Sequence, residues 1–200
     1  MNPAPPDHVG DPVAEVSAWN LPNALTVLRL ALVPVFGWLL LREGGDNDAS
    51  RVLAAAVFLI ASLTDLADGE IARRQGLVTN FGKIADPIAD KALTGMALVG
   101  LSILGHLPWW VTVVILAREV GVTLLRFWVI RHGVIPAGRG SKLKTLLQNI
   151  AIIGYLLPLT GALATACWWL MLVAVVVTVL TGLDYVAQAL RMRRRGRAVA

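Results

Sequence analysis

Cysteine is all but absent. Cys167 stands alone, so no disulfide framework is possible, and its place near a turn suits a structural thiol better than a nucleophile. Charge is scarce as well. Only 16% of the residues are charged, against about 25% in an ordinary soluble domain. There are three histidines, none of them inside the acidic stretch described below, which argues against a zinc centre. No run alternates with period two, which argues against a β-barrel. No internal repeat is visible, and the first apolar run comes late and without a basic flank, so no signal peptide is expected.

What is abundant is hydrophobic sequence, at 56% of the chain. Apolar runs of roughly 20 residues recur, each long enough to cross about 30 Å of hydrocarbon as a helix. Lipid offers the backbone no hydrogen-bond partner, so the spanning element must satisfy itself. The sequence therefore predicts an all-α polytopic membrane protein with six transmembrane helices, near 23–41, 51–72, 82–104, 109–130, 143–164 and 168–190. Residues 1–20, with four prolines, read as a disordered and interfacial N-terminal segment. Residues 21–190 form the helical domain, and 191–200 a basic cytosolic tail.

The charges set an orientation. Arg73, Arg74, Lys83, Arg131, Arg139, Lys142, Lys144 and the arginines of "RMRRRGR" gather on one side. The opposite loops, 42–50, 105–108 and 161–167, hold Arg42, with Arg51 just beyond the first of them, set against Glu43, Asp46 and Asp48. Lysine and arginine favour the cytosolic side, so both termini are expected in the cytosol. Trp109, Trp110, Trp168 and Trp169 fall at the other boundary, where indoles prefer to sit. The basic tail suits topology and anionic lipid headgroups better than nucleic acid.

Against this background stands "DLADGEIARRQGLVTNFGKIADPIAD", residues 65–90. Asp65 and Asp68 are three residues apart and share a helix face, and Asp86 and Asp90, four apart, share another. A connection over 74–81, with Gly76 and Asn80 as turn formers, makes the two helices antiparallel neighbours. Four carboxylates then converge at the cytosolic membrane boundary. Unpaired, they would repel and be costly to bury. A hard divalent cation, Mg²⁺ or Mn²⁺, relieves both costs. A plainer account makes Asp86 an N-cap before Pro87 and pairs Asp65 and Asp68 with Arg73, Arg74 or Lys91. That account leaves the interleaved small residues Gly69, Ala72 and Gly82 without a purpose.

The eight positions Asp65, Asp68, Gly69, Ala72, Arg73, Gly82, Asp86 and Asp90 fill the signature of the CDP-alcohol phosphotransferases, which this chain resembles. The resemblance implies a six-helix fold and a two-metal centre on Asp65, Asp68, Asp86 and Asp90. It implies Asp90 as general base, and Asp68, Gly69, Ala72, Arg73 and Gly82 around the CDP diphosphate. A homodimer is implied too.

Two further stretches bear on the acceptor. "AREVGVTLLRFW" places Arg118 and Glu119 inside the fourth span with Arg126 two turns further on, and "SKLKTLLQ" places Lys142 and Lys144 at the start of the fifth. An arginine within a membrane helix is a functional candidate by default, although Arg118 and Glu119 also suit a structural ion pair. Arg118, Arg126, Lys142 and Lys144 together suit an acceptor carrying its own phosphate. These stretches, with "NLPNALTVLRL" and "KIADPIADKAL", resemble bacterial family members, most of all the actinobacterial versions. Those members move a phosphatidyl group from CDP-diacylglycerol to sn-glycerol 3-phosphate in the cell membrane and release CMP. One departure is Ser141, where that group commonly has glycine. Inositol phosphate or phosphatidylglycerol as acceptor remains open, and so, from a different class, does a divalent-cation transporter.

Overall fold

Two short connections show how local chemistry cuts the apolar runs into helices. At 42–47 the chain reverses through Glu43, Gly44 and Gly45, all at positive φ. Gly45 is required there twice over, because a Cβ would stand 2.6 Å from Leu104 Cδ1. Asn47 then accepts the backbone N–H of Ser50 at 3.0 Å, which caps the start of the next helix. At 157–160, Pro158 lacks an N–H and disfavours helical backbone at the residue before it. The preceding helix stops at Leu156, and the next begins at Gly161, φ 61°.

The computed structural model describes the backbone of residues 21–75, 80–129 and 139–198, with side chains at 23–65, 85–125, 140 and 142–192. Among these residues there is no strand, and six helices follow in order: α1 Leu21–Leu41, α2 Asp48–Gln75, α3 Asn80–Ile103, α4 Trp109–Val129, α5 Arg139–Leu156 and α6 Gly161–Ala198. Two boundaries differ from the sequence expectation. The turn expected at 161–167 lies at 157–160 instead, because Pro158 ends α5 before the apolar pattern does. Asn80, expected in a turn, opens α3; Gly76 lies outside the described residues. The basic end also departs from a separate tail, since α6 runs on to Ala198. Residues 1–20 lie outside the described residues.

α1 packs on α2 and α3, while α6 packs on α4 and α5. The two groups meet through α2 against α5 and α3 against α4 and α5. Phe36, Phe58, Leu98, Leu101, Ile115, Ile152 and Met171 fill the interior, with the Phe36 and Phe58 rings 5.8 Å apart. Trp110 and Trp168 meet edge to face at 6.4 Å where α4 and α6 begin. Arg51, read from sequence only as an outer charge, donates to the carbonyls of Tyr155, Leu156 and Leu157 at 2.9, 3.3 and 3.2 Å. It thereby satisfies the C-terminal carbonyls of α5, which have no partner within the helix.

The outer surface is strongly apolar: Trp38, Leu124, Leu163, Trp169, Leu180 and Leu183 are all exposed. Such a surface marks contact with lipid or protein rather than water. Two segments, Asn23–Gly45 and Gly161–Met192, are long and apolar enough to cross a membrane by themselves. α2 to α5 carry charges within their apolar runs, and among the described residues Asp65, Asp86, Asp90, Lys91, Arg118, Glu119 and Lys144 line one cavity.

α5 and α6 approach closely at Gly154, where a Cβ would stand 2.4 Å from Cys167 Sγ and 3.3 Å from its Cβ. Gly154→Ala should therefore lower stability by about 1–3 kcal/mol, the usual range for overpacking. Adding Cys167→Ala removes the clashing sulfur and should recover most of the loss. Thermal unfolding in detergent checks this; a double variant no more stable than Gly154→Ala alone would place the strain elsewhere.

Candidate active site

α3 and α5 begin at the end of the bundle toward which α2, α4 and α6 run, opposite the Trp110–Trp168 pair. Here five helices surround a cavity of about 660 Å³. α2 contributes Asp65, and α3 contributes Asp86, Asp90, Lys91 and Thr94. α4 adds Arg118, Glu119 and Thr123, α5 adds Lys144, Thr145 and Gln148, and α6 adds Thr181, Asp184, Tyr185 and Gln188. Asp65, Asp86 and Asp90, three of the four motif aspartates, thus face one space, with α1 packed against both of the helices that carry them.

α1 holds two of these carboxylates. Arg29 Nη1 donates to Asp65 Oδ1 at 2.6 Å, and the arginine side chain is only 1% exposed. Thr26 Oγ1 donates to Asp86 Oδ1. The Arg29 guanidinium is buried while Asp65 is partly exposed, so the pair anchors the carboxylate from the interior side of the cavity. Asp65 thus has an ion-pair partner on α1 that the sequence reading did not name, while the side chains of Arg73 and Arg74 lie outside the described residues. Pro87 lies well inside α3, so Asp86 does not cap that helix.

The opposite wall is cationic but tethered. Glu119 Oε1 accepts from Lys144 Nζ and, at 3.2 Å, from Arg118 Nη1. Arg118 Nη2 also donates to Thr181 Oγ1 at 3.1 Å. Gly182 makes room for this arginine, since a Cβ there would stand 3.0 Å from Arg118 Cγ. Lys144 is 5% exposed. One carboxylate thus holds two cations in register, and Asp90 has Glu119, Lys144, Lys91 and Asp65 among its charged neighbours.

Lys142 does not join this group: it is exposed and not among the cavity-lining residues. Helix geometry explains the difference, because Lys142 and Lys144 are two apart and point about 200° away from each other around the axis. The side chains of Asp68, Gly69, Ala72 and Arg73 on α2, of Gly82 on α3 and of Arg126 on α4 lie outside the described residues. Sequence reading missed Thr26, Arg29, Thr181 and Asp184. Two of them left a signal: Arg29 and Asp184 are ionisable residues inside otherwise apolar spans, the feature that singled out Arg118.

The donor set fits a divalent ion by its chemistry. Asp65, Asp86 and Asp90 offer only carboxylate oxygens to the cavity, as hard cations require. Among the described residues, no three His, Cys, Asp or Glu side chains are close enough to hold one ion.

Comparison with known proteins gives the family. The chain is 57% identical over 172 residues to a probable phosphatidylglycerophosphate synthase of Mycobacterium tuberculosis, covering 86% of this chain and 82% of that protein. It is 39% identical over 183 residues to the CDP-diacylglycerol–glycerol-3-phosphate 3-phosphatidyltransferase of Bacillus subtilis, covering 84% and 93%. A CMP-forming cardiolipin synthase of Streptomyces coelicolor is 38% identical over 117 residues, covering 58% and 54%. The CDP-alcohol phosphatidyltransferase family matches residues 19–180, a stretch that contains the aspartate wall and the tethered cations alike, and the chain belongs to that family.

Proposed function

We propose that this chain transfers the phosphatidyl group of CDP-diacylglycerol to sn-glycerol 3-phosphate, forming phosphatidylglycerol phosphate and CMP. The observation that carries this reading is one cavity with motif aspartates on one wall and the Glu119-tethered pair Arg118 and Lys144 on the other. The relatives' names support the choice of donor and acceptor.

Family members use divalent metal ions. Asp65, Asp68, Asp86 and Asp90 would hold two of them, Mg²⁺ or Mn²⁺, which when bound offset charge on the diphosphate and the departing CMP. Asp90 takes the proton as the acceptor oxygen attacks the β-phosphorus in line. The new O–P bond forms as the bond from phosphorus to the CMP oxygen breaks. Arg73 contacts the diphosphate, and Gly69, Ala72 and Gly82 make room for cytidine. Arg118, Lys144 and Arg126 take the acceptor phosphate, for which paired cations in a low-dielectric wall are suited. Lys142 serves the membrane surface.

All six helices span the cell membrane in this reading, with the cavity and both termini on the cytosolic side. Residues 21–190 make up the catalytic domain, 1–20 lie at the interface, and two chains associate as a homodimer. The excess of lysine and arginine at the cavity end supports this orientation. A lipid donor then keeps its tails in hydrocarbon while its headgroup enters the cavity.

The test offers glycerol 3-phosphate, inositol 1-phosphate and phosphatidylglycerol separately to purified protein with CDP-diacylglycerol and Mg²⁺, following CMP. Release with glycerol 3-phosphate alone is expected. Release only with phosphatidylglycerol would move the chain toward the cardiolipin-forming relative. Lys144→Met should raise the glycerol 3-phosphate KM by about tenfold or more, as loss of a charged hydrogen bond implies. Lys142→Met should leave that KM within about twofold; equal effects at the two lysines would remove the acceptor pocket from this wall.

A further inference from the structure

Arg118 and Gln148 both line the cavity, and each keeps one buried polar atom without a hydrogen-bond partner, Nε of the arginine and Oε1 of the glutamine. The two are opposite in sense, one a donor and the other an acceptor. Gln148 is only 2% exposed. Folded proteins leave few such atoms, and each asks for an explanation. Gln148 stands four residues after Lys144 on α5, so the two share a face about one turn apart. Glu119 ties Lys144 to Arg118 on that same wall. Cations therefore come first from the start of α5, and an unmatched carbonyl comes one turn further in.

A ligand that satisfies both orphans presents anionic oxygens to the arginine and a hydroxyl to the glutamine. A phosphorylated polyol has that pattern, whereas a simple phosphorylated alcohol with one hydroxyl does not. We propose that Gln148 determines acceptor specificity: its side-chain carbonyl accepts a hydrogen bond from the polyol hydroxyl that does not react, while Arg118 and Lys144 hold the phosphate. This inference rests on the function proposed above and deepens its acceptor site. Gln148 contacts substrate without exchanging a proton with the reacting oxygen, so its effect falls on choice between acceptors.

The test compares glycerol 3-phosphate with 3-hydroxypropyl phosphate, which keeps the phosphate and a primary hydroxyl but lacks the secondary one. Purified full-length protein receives CDP-diacylglycerol and Mg²⁺, and kcat/KM is measured for each acceptor by CMP release. The wild type should prefer glycerol 3-phosphate by about tenfold or more, as a site built to bond a hydroxyl does. In Gln148→Met the preference should collapse to within about threefold, because Met fills the space without an acceptor. Gln148→Glu keeps an acceptor oxygen and should keep the preference, and it decides the matter if Gln148→Met does not fold. An unchanged preference in Gln148→Met, or a lost one in Gln148→Glu, overturns the assignment, since a merely structural glutamine would weaken both acceptors alike. Wild-type protein that releases CMP with neither acceptor overturns the underlying function instead.

Discussion

Asp90→Asn is expected to abolish turnover while CDP-diacylglycerol still binds. Asparagine matches aspartate in shape, so α3 keeps its packing, but the amide cannot take a proton from the acceptor hydroxyl. Loss of a positioned base costs about 10²–10⁴-fold in kcat, equivalent to about 3–5 kcal/mol of barrier. The other nearby carboxylates are already engaged, Asp65 by Arg29 and Glu119 by Lys144 and Arg118. Single-turnover CMP release alongside a donor-binding assay separates the two steps. A variant turning over within threefold of wild type would remove Asp90 from proton transfer, whereas loss of donor binding would make it chiefly part of the diphosphate site.

Chelation with EDTA should bring CMP release to background, and Mg²⁺ or Mn²⁺ should restore it. The reason lies in the cavity wall. Asp65, Asp86 and Asp90 line the cavity in which the proposed function puts an anionic diphosphate, and repulsion between like charges in a low-dielectric setting is strong. A readout independent of activity is available. An ion that binds only the folded protein stabilises it by about 2.7 kcal/mol at 100 times its Kd, so the unfolding temperature should drop on chelation. The fold should nonetheless survive, because Arg29 and Thr26 hold Asp65 and Asp86 from α1 without any ion. Activity indifferent to chelation, with no change in unfolding temperature, would remove the metal from the mechanism.

Much of the candidate site was legible because its residues are anomalous where they stand. Asp65, Asp86, Asp90, Arg118 and Lys144 are charges in or beside apolar runs, and lipid tolerates such charges only with a purpose. The 3- and 4-residue spacings of the aspartates put each pair on one helix face. Spacing alone did not separate Lys142 from Lys144, because a cluster of basic residues reads as one patch until helix phase assigns each to the cavity or the surface.

By itself the sequence determined that the chain is helical, apolar and membrane-suited, and that its aspartates gather near one end. Composition and period depend only on local chemistry, so a linear reading captures them. Helix ends were less visible where one residue overrules a pattern, as Pro158 does inside an apolar stretch. Only the tertiary structure decided the partnerships: Arg29 with Asp65, Thr26 with Asp86, Arg51 across the end of α5, and Glu119 between Arg118 and Lys144. These contacts join helices up to about a hundred residues apart in sequence, and no periodicity encodes which buried charge will meet which. That choice is made when the helices pack, because a charge removed from water must find its counter-ion wherever the fold supplies one.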